Sequence, residues 1–320
     1  MRLGFAVKVL GEGGLPSHDA RRWRSGPHLR KSLEYLRSVL EYLDRHDIRM
    51  YRMATALAPY ASHPELPQFH RQVDECGGEL ADVGALARTL DIRLSTHPGQ
   101  YTVLNSESPD VQAAAVAELE VQAALLDAMG LGPEAVVVLH VGGATGGHAA
   151  AADRFLAGLE QLSDAARSRL VLENDDRVFG LGTALSVAER AGVPLVFDIH
   201  HHRCHDPDGI DDREALELAL DSWPSGVTPK IHFSSPRLDM GEKRERVGRR
   251  VERTPVLPDA RLHADLIDPA AFEAFLRHTA NGLDFDVMLE AKGKDLALLR
   301  LREQLRDDLD STRWQSSRVH

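Results

Sequence analysis

Eight short apolar runs recur along the chain, and stretches with helical periodicity lie between them. The runs are RLGFAV (2–7), IRMYRM (48–53), IRLSTH (92–97), AVVVLH (135–140), RLVLEN (169–174), VPLVFD (193–198), PKIHFS (229–234) and FDVMLE (285–290). Each has the length of a strand and is nearly continuous in its apolar character, the pattern of strands covered on both faces. Between them, HLRKSLEYLRSVLEYLDRH, ECGGELADVGALARTL and SPDVQAAAVAELEVQAALLDAMG read as helices. In the last, Ser108 stands at the N-cap, Pro109 at the first helical position and Gly130 at the stop. Eight βα units in 320 residues point to an α/β fold, a TIM (β/α)8 barrel, with a doubly wound open sheet as the alternative. No linker, low-complexity tract or repeat divides the chain. The reading is therefore a single domain over 1–309, followed by a disordered tail at 310–320.

Composition narrows the classes. At 43% hydrophobic and 27% charged residues, the chain is an ordinary globular one. No apolar run approaches the roughly 20 residues of a membrane span, and the apolar N-terminal stretch is too short for a signal peptide. Cys76 and Cys204 alone exclude a disulfide framework, so a cytoplasmic address is expected. The net charge of −11 by itself disfavours a nucleic-acid partner. Carboxylates that ligate metal are neutralised by it, however, so the bulk count does not decide the matter.

The strand ends carry the chemistry. In a barrel, functional groups sit at the C-terminal ends of the strands. Here the third strand ends in His97, the fourth in His140, the fifth delivers Glu173 and the sixth Asp198. The seventh carries Lys230 and His232, and the eighth ends in Glu290. Any one of these is ordinarily a cap, a turn or a surface ion pair. Six successive strands aiming ligand-type side chains at one mouth are not, because carboxylates clustered there without metal are expensive. His201, in FDIHHH, can reach the same mouth from the loop. His200, His202 and His205 are expected to support the ligands from behind or to face solvent, and Cys204 to be a bystander. With His63 after the second strand and His263 before the eighth, nine candidate ligands result: His63, His97, His140, Glu173, Asp198, His201, His232, His263 and Glu290. One ion takes about four to six ligands, so nine suggest two or three divalent ions. Mixed imidazole and carboxylate donors suit Mn²⁺, Zn²⁺ or Fe²⁺ better than a thiolate zinc site. Clustered metals suit phosphoester hydrolysis, one activating a water and others stabilising the developing charge, with Glu173 able to bridge two of them. Lys230 is out of place as an ammonium among metals. It is turned away, aimed at a substrate phosphate, or modified so that it loses its charge.

STHPGQY (95–101), LHVGG (139–143), LENDD (172–176), FDIHHH (197–202), KIHFSS (230–235) and LEAKGK (289–294) together resemble the UV damage endonuclease family. RLGF at the start and YASHP (60–64) agree, so the matches run in order over roughly residues 1–295. The resemblance implies a barrel of the sugar-isomerase and abasic-site-nuclease superfamily. It implies a three-metal site, most often loaded with Mn²⁺, with Zn²⁺ or Mg²⁺ as alternatives. It implies a monomer whose partner is double-stranded DNA carrying UV lesions, with no membrane. The expected reaction is a nick immediately 5′ to cyclobutane dimers and 6-4 products, leaving a 3′-hydroxyl, with metal-bound hydroxide as nucleophile. Glu173, Lys230 and His232 are then the expected catalytic residues, and the lysine matching Lys230 can be carboxylated. Gln100 and Tyr101 are expected to probe the lesion. Phe5 stands where the family often has tyrosine; it can stack on DNA but lacks the hydroxyl. Val9 stands where an asparagine is common.

The segment 235–262 is longer than the family leads one to expect. From Arg237 to Arg253 it holds seven basic residues against four acids. It reads either as a contact to the DNA backbone or as a solvated helix laced with i,i+4 pairs. A second basic cluster, RRWRSGPHLRK (21–31), follows the first strand. The runner-up function is a two-metal sugar isomerase or epimerase on the same barrel, which needs neither Gln100–Tyr101 nor basic loops. An amidohydrolase wants a His-x-His on the first strand, which GFAVKV lacks. A purely structural metal site is disfavoured, since such sites are closed by four ligands.

Overall fold

All eight expected runs form strands, and each is shorter than the run that contains it. A computed structural model describes residues 1–247 and 250–306. The expected tail at 310–320 lies outside them. In chain order the strands are β1 (Leu3–Ala6), β2 (Met50–Arg52), β3 (Arg93–Ser95), β4 (Val137–His140), β5 (Leu170–Glu173), β6 (Leu195–Val196) and β7 (Lys230–Phe233). A hairpin of β8 (Gly241–Val247) and β9 (Arg250–Val256) intervenes before β10 (Asp286–Leu289).

The barrel strands pair in parallel in the order β3-β2-β1-β10-β7, and separately as β4-β5-β6. Two parallel bridges, Thr96 to Val137 and Asp198 to His232, join these sheets at both seams. The ring of eight is thereby closed, as the periodicity predicts. Helices cover the outside. Leu29–Arg45, for example, buries Leu29, Leu33, Leu36, Leu40 and Leu43, a stripe at i, i+4, i+7 that faces the sheet. The helix expected after Ser108 runs from Pro109 to Ala128, and Gly130 lies beyond its end at φ +62°. Ser108 occupies the N-cap position but makes no capping hydrogen bond.

Side chains alternate between barrel interior and helix layer. Leu3, Phe5, Ile231, Phe233 and Leu289 belong to the apolar layer beneath the helices. The opposite parity points inward and is sorted by height. At the base, Arg93 pairs with Asp286 at 3.0 Å and its guanidinium lies 5.7 Å from the Trp223 ring. Above them Val136, Val138, Val171 and Val196 pack together with Trp223. The next inward positions of the same strands are His140, Glu173 and Asp198. The fold thus puts an apolar floor directly under a polar mouth.

This parity corrects one expectation. Phe5 is 0% exposed, lies in register with Tyr51 and Leu289, and packs edge-on against Tyr51 with ring centroids 5.5 Å apart. Its ring belongs to the core, where burial is worth about 2–3 kcal/mol, and no face of it is open to a DNA base.

Candidate metal centre

Glu173 occupies the middle of the mouth and is fully buried. One carboxylate oxygen lies 2.9 Å from His97 Nε2 and 3.7 Å from His140 Nε2. The other lies 2.9 Å from His232 Nδ1 and 3.5 Å from His201 Nδ1. Four histidines from four elements therefore converge on one carboxylate. Glu290, at the end of β10, reaches His232 at 3.3 Å and is clamped by the Arg52 guanidinium of β2.

The local sequence explains Asp198 and the histidines behind it. Asp198 caps the short helix Ile199–Cys204, and its Oδ1 accepts from the His201 backbone N–H at 2.8 Å. Its second oxygen, Oδ2, stays bare towards the mouth, 3.7 Å from His201 and 4.0 Å from His232. On a helix, successive side chains diverge by about 100°, so only His201 of the histidine run faces Glu173. His200 and His202 are both buried rather than solvent-facing; their Nε2 atoms hydrogen-bond to the carbonyls of Arg261 at 3.2 Å and Ile210 at 2.9 Å. They hold the segment in place from behind, while His205 is half-buried at the helix end.

Three imidazoles are oriented alike. His97, His201 and His263 each donate from Nδ1 to a backbone carbonyl, of Pro98 at 3.1 Å, Asn174 at 3.0 Å and Glu290 at 2.9 Å. A carbonyl only accepts, so the proton is fixed on Nδ1 and Nε2 is the atom left to ligate, the arrangement of metal-binding histidines. Asn174 does more. Its side-chain amide receives the Asp198 N–H at 2.9 Å and donates to the Asp198 carbonyl at 2.9 Å. It clamps the ligand-bearing segment to β5 from both sides.

Several buried polar atoms here have no hydrogen-bond partner: Glu173 Oε2, Asp198 Oδ2, His232 Nε2 and His140 Nδ1. Orphans of this kind are costly and need an explanation. Metal ligation supplies one. Ligand atoms fall into three groups within 4.8 Å of one another: His97–Glu173–His232, Glu173–Asp198–His201 and Asp198–His232–Glu290. Glu173, Asp198 and His232 are each shared between two groups, so the donors fit a cluster of ions.

Of the nine candidate ligands, the structure gathers six into these groups. His140 stands at their rim, and His263 lies 3.9 Å from Glu290 with its ring 5.9 Å from that of His201. His63 belongs to none of the groups among the described residues; its Nδ1 accepts from the Glu65 N–H at 3.2 Å. Arg52 and Asn174 were not foreseen. Arg52 has the inward parity of β2, and Asn174 directly follows Glu173, and those are the signals that point to them.

Electrostatics follow from the burial. Desolvation pushes Glu173 up, but the His232 and His140 imidazoles outweigh it and hold it well below the usual carboxylate range. Glu290 is likewise pushed up by burial and brought down further by Arg52 and His232. Burial lowers His97 to about 4. Burial also pulls His201 down, yet the carboxylates of Asp198, Glu173 and Glu290 raise it to about 9. Lys230 is fully buried one layer beneath the cluster, and its Nζ donates to Ser95 Oγ at 3.0 Å across the barrel. Burial, with Arg93 and Arg52 nearby, pushes it well below the usual lysine range. A sealed amine does not touch a substrate phosphate, which removes one of the three alternatives for Lys230.

Beyond the mouth, the chain after His97 makes a tight turn in which the Thr102 N–H meets the Gly99 carbonyl at 2.9 Å. Gln100 and Tyr101 stand at its two central positions, and Tyr101 is 85% exposed. Among the described residues no helix is long and apolar enough to cross a membrane.

Fold and site together define an α/β barrel with a candidate multi-metal centre at its mouth and an exposed aromatic beside it. The chain belongs to the UV-endonuclease UvdE family, whose model matches residues 28–318. It is 35% identical over 269 residues to the UV DNA damage endonuclease of Bacillus velezensis, covering 83% of this chain and 78% of that protein. It superposes on the crystal structure of SacUVDE with a TM-score of 0.80 at 29% identity, covering 96% of this chain and 98% of the other. A D-psicose 3-epimerase shares the fold alone, at a TM-score of 0.51 and 13% identity.

Proposed function

We propose that this chain is a DNA-repair endonuclease that nicks the backbone immediately 5′ to cyclobutane dimers and 6-4 products and leaves a 3′-hydroxyl. It works as a cytoplasmic monomer on double-stranded DNA, with two to three divalent ions, Mn²⁺ before Zn²⁺ or Mg²⁺. The observation that carries the reading is the sharing of Glu173, Asp198 and His232 between adjoining ligand groups in a chain of this family.

His97, His140, Glu173, Asp198, His201, His232, His263 and Glu290 would hold the ions, with His63 as a further ligand. Bound there, divalent ions supply Lewis-acid stabilisation of phosphoryl oxygens and a water acidic enough to act at neutral pH. The protein does the rest. Arg52 fixes Glu290, Asn174 fixes Asp198 and His201, and the apolar floor keeps water from below. Burial holds Lys230 well below the usual lysine range, which favours the amine form that takes up carbon dioxide, and its carbamate would place a carboxylate beneath the ligands.

Gln100 and Tyr101 sit at the outer corner of the turn that follows the candidate ligand His97. A side chain wedged into a duplex costs a few kcal/mol of unstacking, least where damage has already loosened the stack. Selectivity thus comes from deformability, not from base sequence.

The test is a nicking assay on end-labelled duplexes that are undamaged, carry one cyclobutane dimer, or carry one abasic site. The expected product is a single cut just 5′ to the dimer with an extendable 3′-end, absent from undamaged DNA. No cut on any duplex by metal-loaded protein, together with ketose epimerisation, would move the assignment to the sugar epimerases.

A further inference from the structure

Between β7 and β10 the chain leaves the barrel and returns as the hairpin β8–β9. Its feet stand on the mouth. Pro236 and His263 pair across them, the Arg237 N–H donates to the Leu262 carbonyl at 2.7 Å, and the Ala264 N–H to the Ser235 carbonyl at 2.8 Å. His263 is itself a candidate ligand. The foot of the ribbon therefore stands beside the ligand groups, with His263 3.9 Å from Glu290.

The segment forms strands, so of the two readings open for it the i,i+4-paired helix does not form. Every residue of β9 is exposed, as are Leu238, Met240 and Leu257 at the base. A two-stranded hairpin with no third layer is marginal in water. The register adds a cost, because Arg244 faces Arg253 directly and Glu245 faces Glu252, and like charges placed opposite each other destabilise a strand pair. Alternation then sorts the charge. Glu242, Arg244 and Arg246 share one face with Val251, Arg253 and Pro255. On it a single carboxylate, Glu242, serves two guanidiniums at 3.6 and 3.7 Å. Three arginines against one acid leave a positive strip on a chain of net charge −11.

A sheet stabilised only by its own pairing has no use for opposed arginines. A polyanion has, because each phosphate offsets the repulsion between neighbouring guanidiniums. A two-stranded ribbon is also narrow enough to enter the major groove. We infer that the hairpin is an arm that grips duplex DNA beside the mouth, laying Arg244, Arg246 and Arg253 on backbone phosphates. The inference rests on the endonuclease reading of the mouth. The arm contributes affinity and register on the duplex, without base preference, and takes no part in bond breaking.

The experiment compares metal-loaded wild type with R244Q/R246Q/R253Q and with R244K/R246K/R253K. It measures binding to undamaged duplex across a salt series, and nicking of a dimer-containing duplex. Each phosphate contact contributes about 0.9 to the slope of log affinity against log salt. The glutamine triple should lose about two to three from that slope and bind roughly 10- to 100-fold more weakly at low salt. Its KM for the dimer duplex should rise in step, with kcat unchanged. The lysine triple should keep the slope. If the glutamine triple binds and nicks like wild type, the arm is wrong and the endonuclease reading stands. If wild type neither binds nor nicks any duplex, both fall. The arginines could instead guard the ribbon's open edges against pairing with another copy. In that case the glutamine triple would self-associate at unchanged DNA affinity, while R244E/R253E, whose edges stay charged, would remain monomeric and bind DNA normally; that pair of results also overturns the arm.

Discussion

Glu173 and Arg244 are both charged residues on β-strands of this chain, yet their surroundings have little in common. Glu173 is sealed in the barrel mouth, with two histidines within 2.9 to 3.7 Å of each of its oxygens. Arg244 stands on an exposed ribbon with another arginine opposite it. In the mouth, position is over-determined: strand parity sets the direction, backbone carbonyls set the tautomers, and Asn174 sets the segment that carries Asp198. On the ribbon and on the Gly99–Thr102 turn the backbone is hydrogen-bonded, while Arg244 and Tyr101 are exposed. The buried set is built for geometry and the exposed set for adaptable attraction. Changes in the first should therefore cost rate by orders of magnitude, and changes in the second should alter affinity and selectivity.

The largest effect is expected at the centre. Glu173→Ala removes the carboxylate shared by two ligand groups, and the nicking rate should fall by at least ~10³-fold, the scale of losing a group that stabilises developing charge. Circular dichroism should show the fold retained. A wild-type rate would break the contrast outright.

Next comes Asn174→Ala, at a fully buried residue. Loss of its two bonds to Asp198 should weaken metal binding roughly 10- to 100-fold, as for other groups that orient ligands. Calorimetric titration with Mn²⁺ checks this, and excess metal should rescue the rate. Rate loss with unchanged metal affinity would show that the clamp does not act through the ligands.

Proton competition gives a third check. His201 in the metal-free protein is raised to about 9 from 6.5. The stability conferred by that proton is complete below about pH 6.5 and is lost as pH rises through about 9. An incoming ion must displace it. Metal affinity should therefore climb by up to about tenfold per pH unit towards pH 9 and then level off. An affinity that is flat between pH 7 and 9 would mean that His201 does not surrender a proton to the ion.

The smallest effect belongs to the rim. Tyr101→Ala should keep the metals and the Tm, but lose about tenfold in preference for dimer over undamaged duplex, in line with ~1–3 kcal/mol for one base–aromatic stack. Competition binding measures this directly.

How far the sequence led differs between the same two regions. The eight strands were legible because doubly covered strands are continuously apolar, and the mouth was legible because ligand types recur at the ends of those strands. Five of the six candidates in the ligand groups come from those ends, and His201 joins them from the helix that follows. What spacing could not convey was facing. Phe5 precedes Ala6 by one residue, and that single step of parity puts it under the helices instead of in the mouth. That His200 and His202 do not join His201 at the mouth was expected; whether they lie behind it or face solvent was not, and the short helix buries both. For the basic segment a helix and a backbone contact stayed open because charge counts carry no period; its alternation emerges only once Arg244 is seen opposite Arg253. Asn174 was invisible as a clamp because its partner lies 24 residues away.

The most direct test of the central claim is metal add-back. Protein stripped by chelator would be titrated with Mn²⁺, and single-turnover nicking read on a dimer-containing duplex and on its undamaged twin. The account predicts no cutting without metal, a saturating rise with Mn²⁺ at the phosphate 5′ to the dimer, and an intact undamaged strand. Cutting that persists in chelator, or that rises equally on both duplexes, would contradict it.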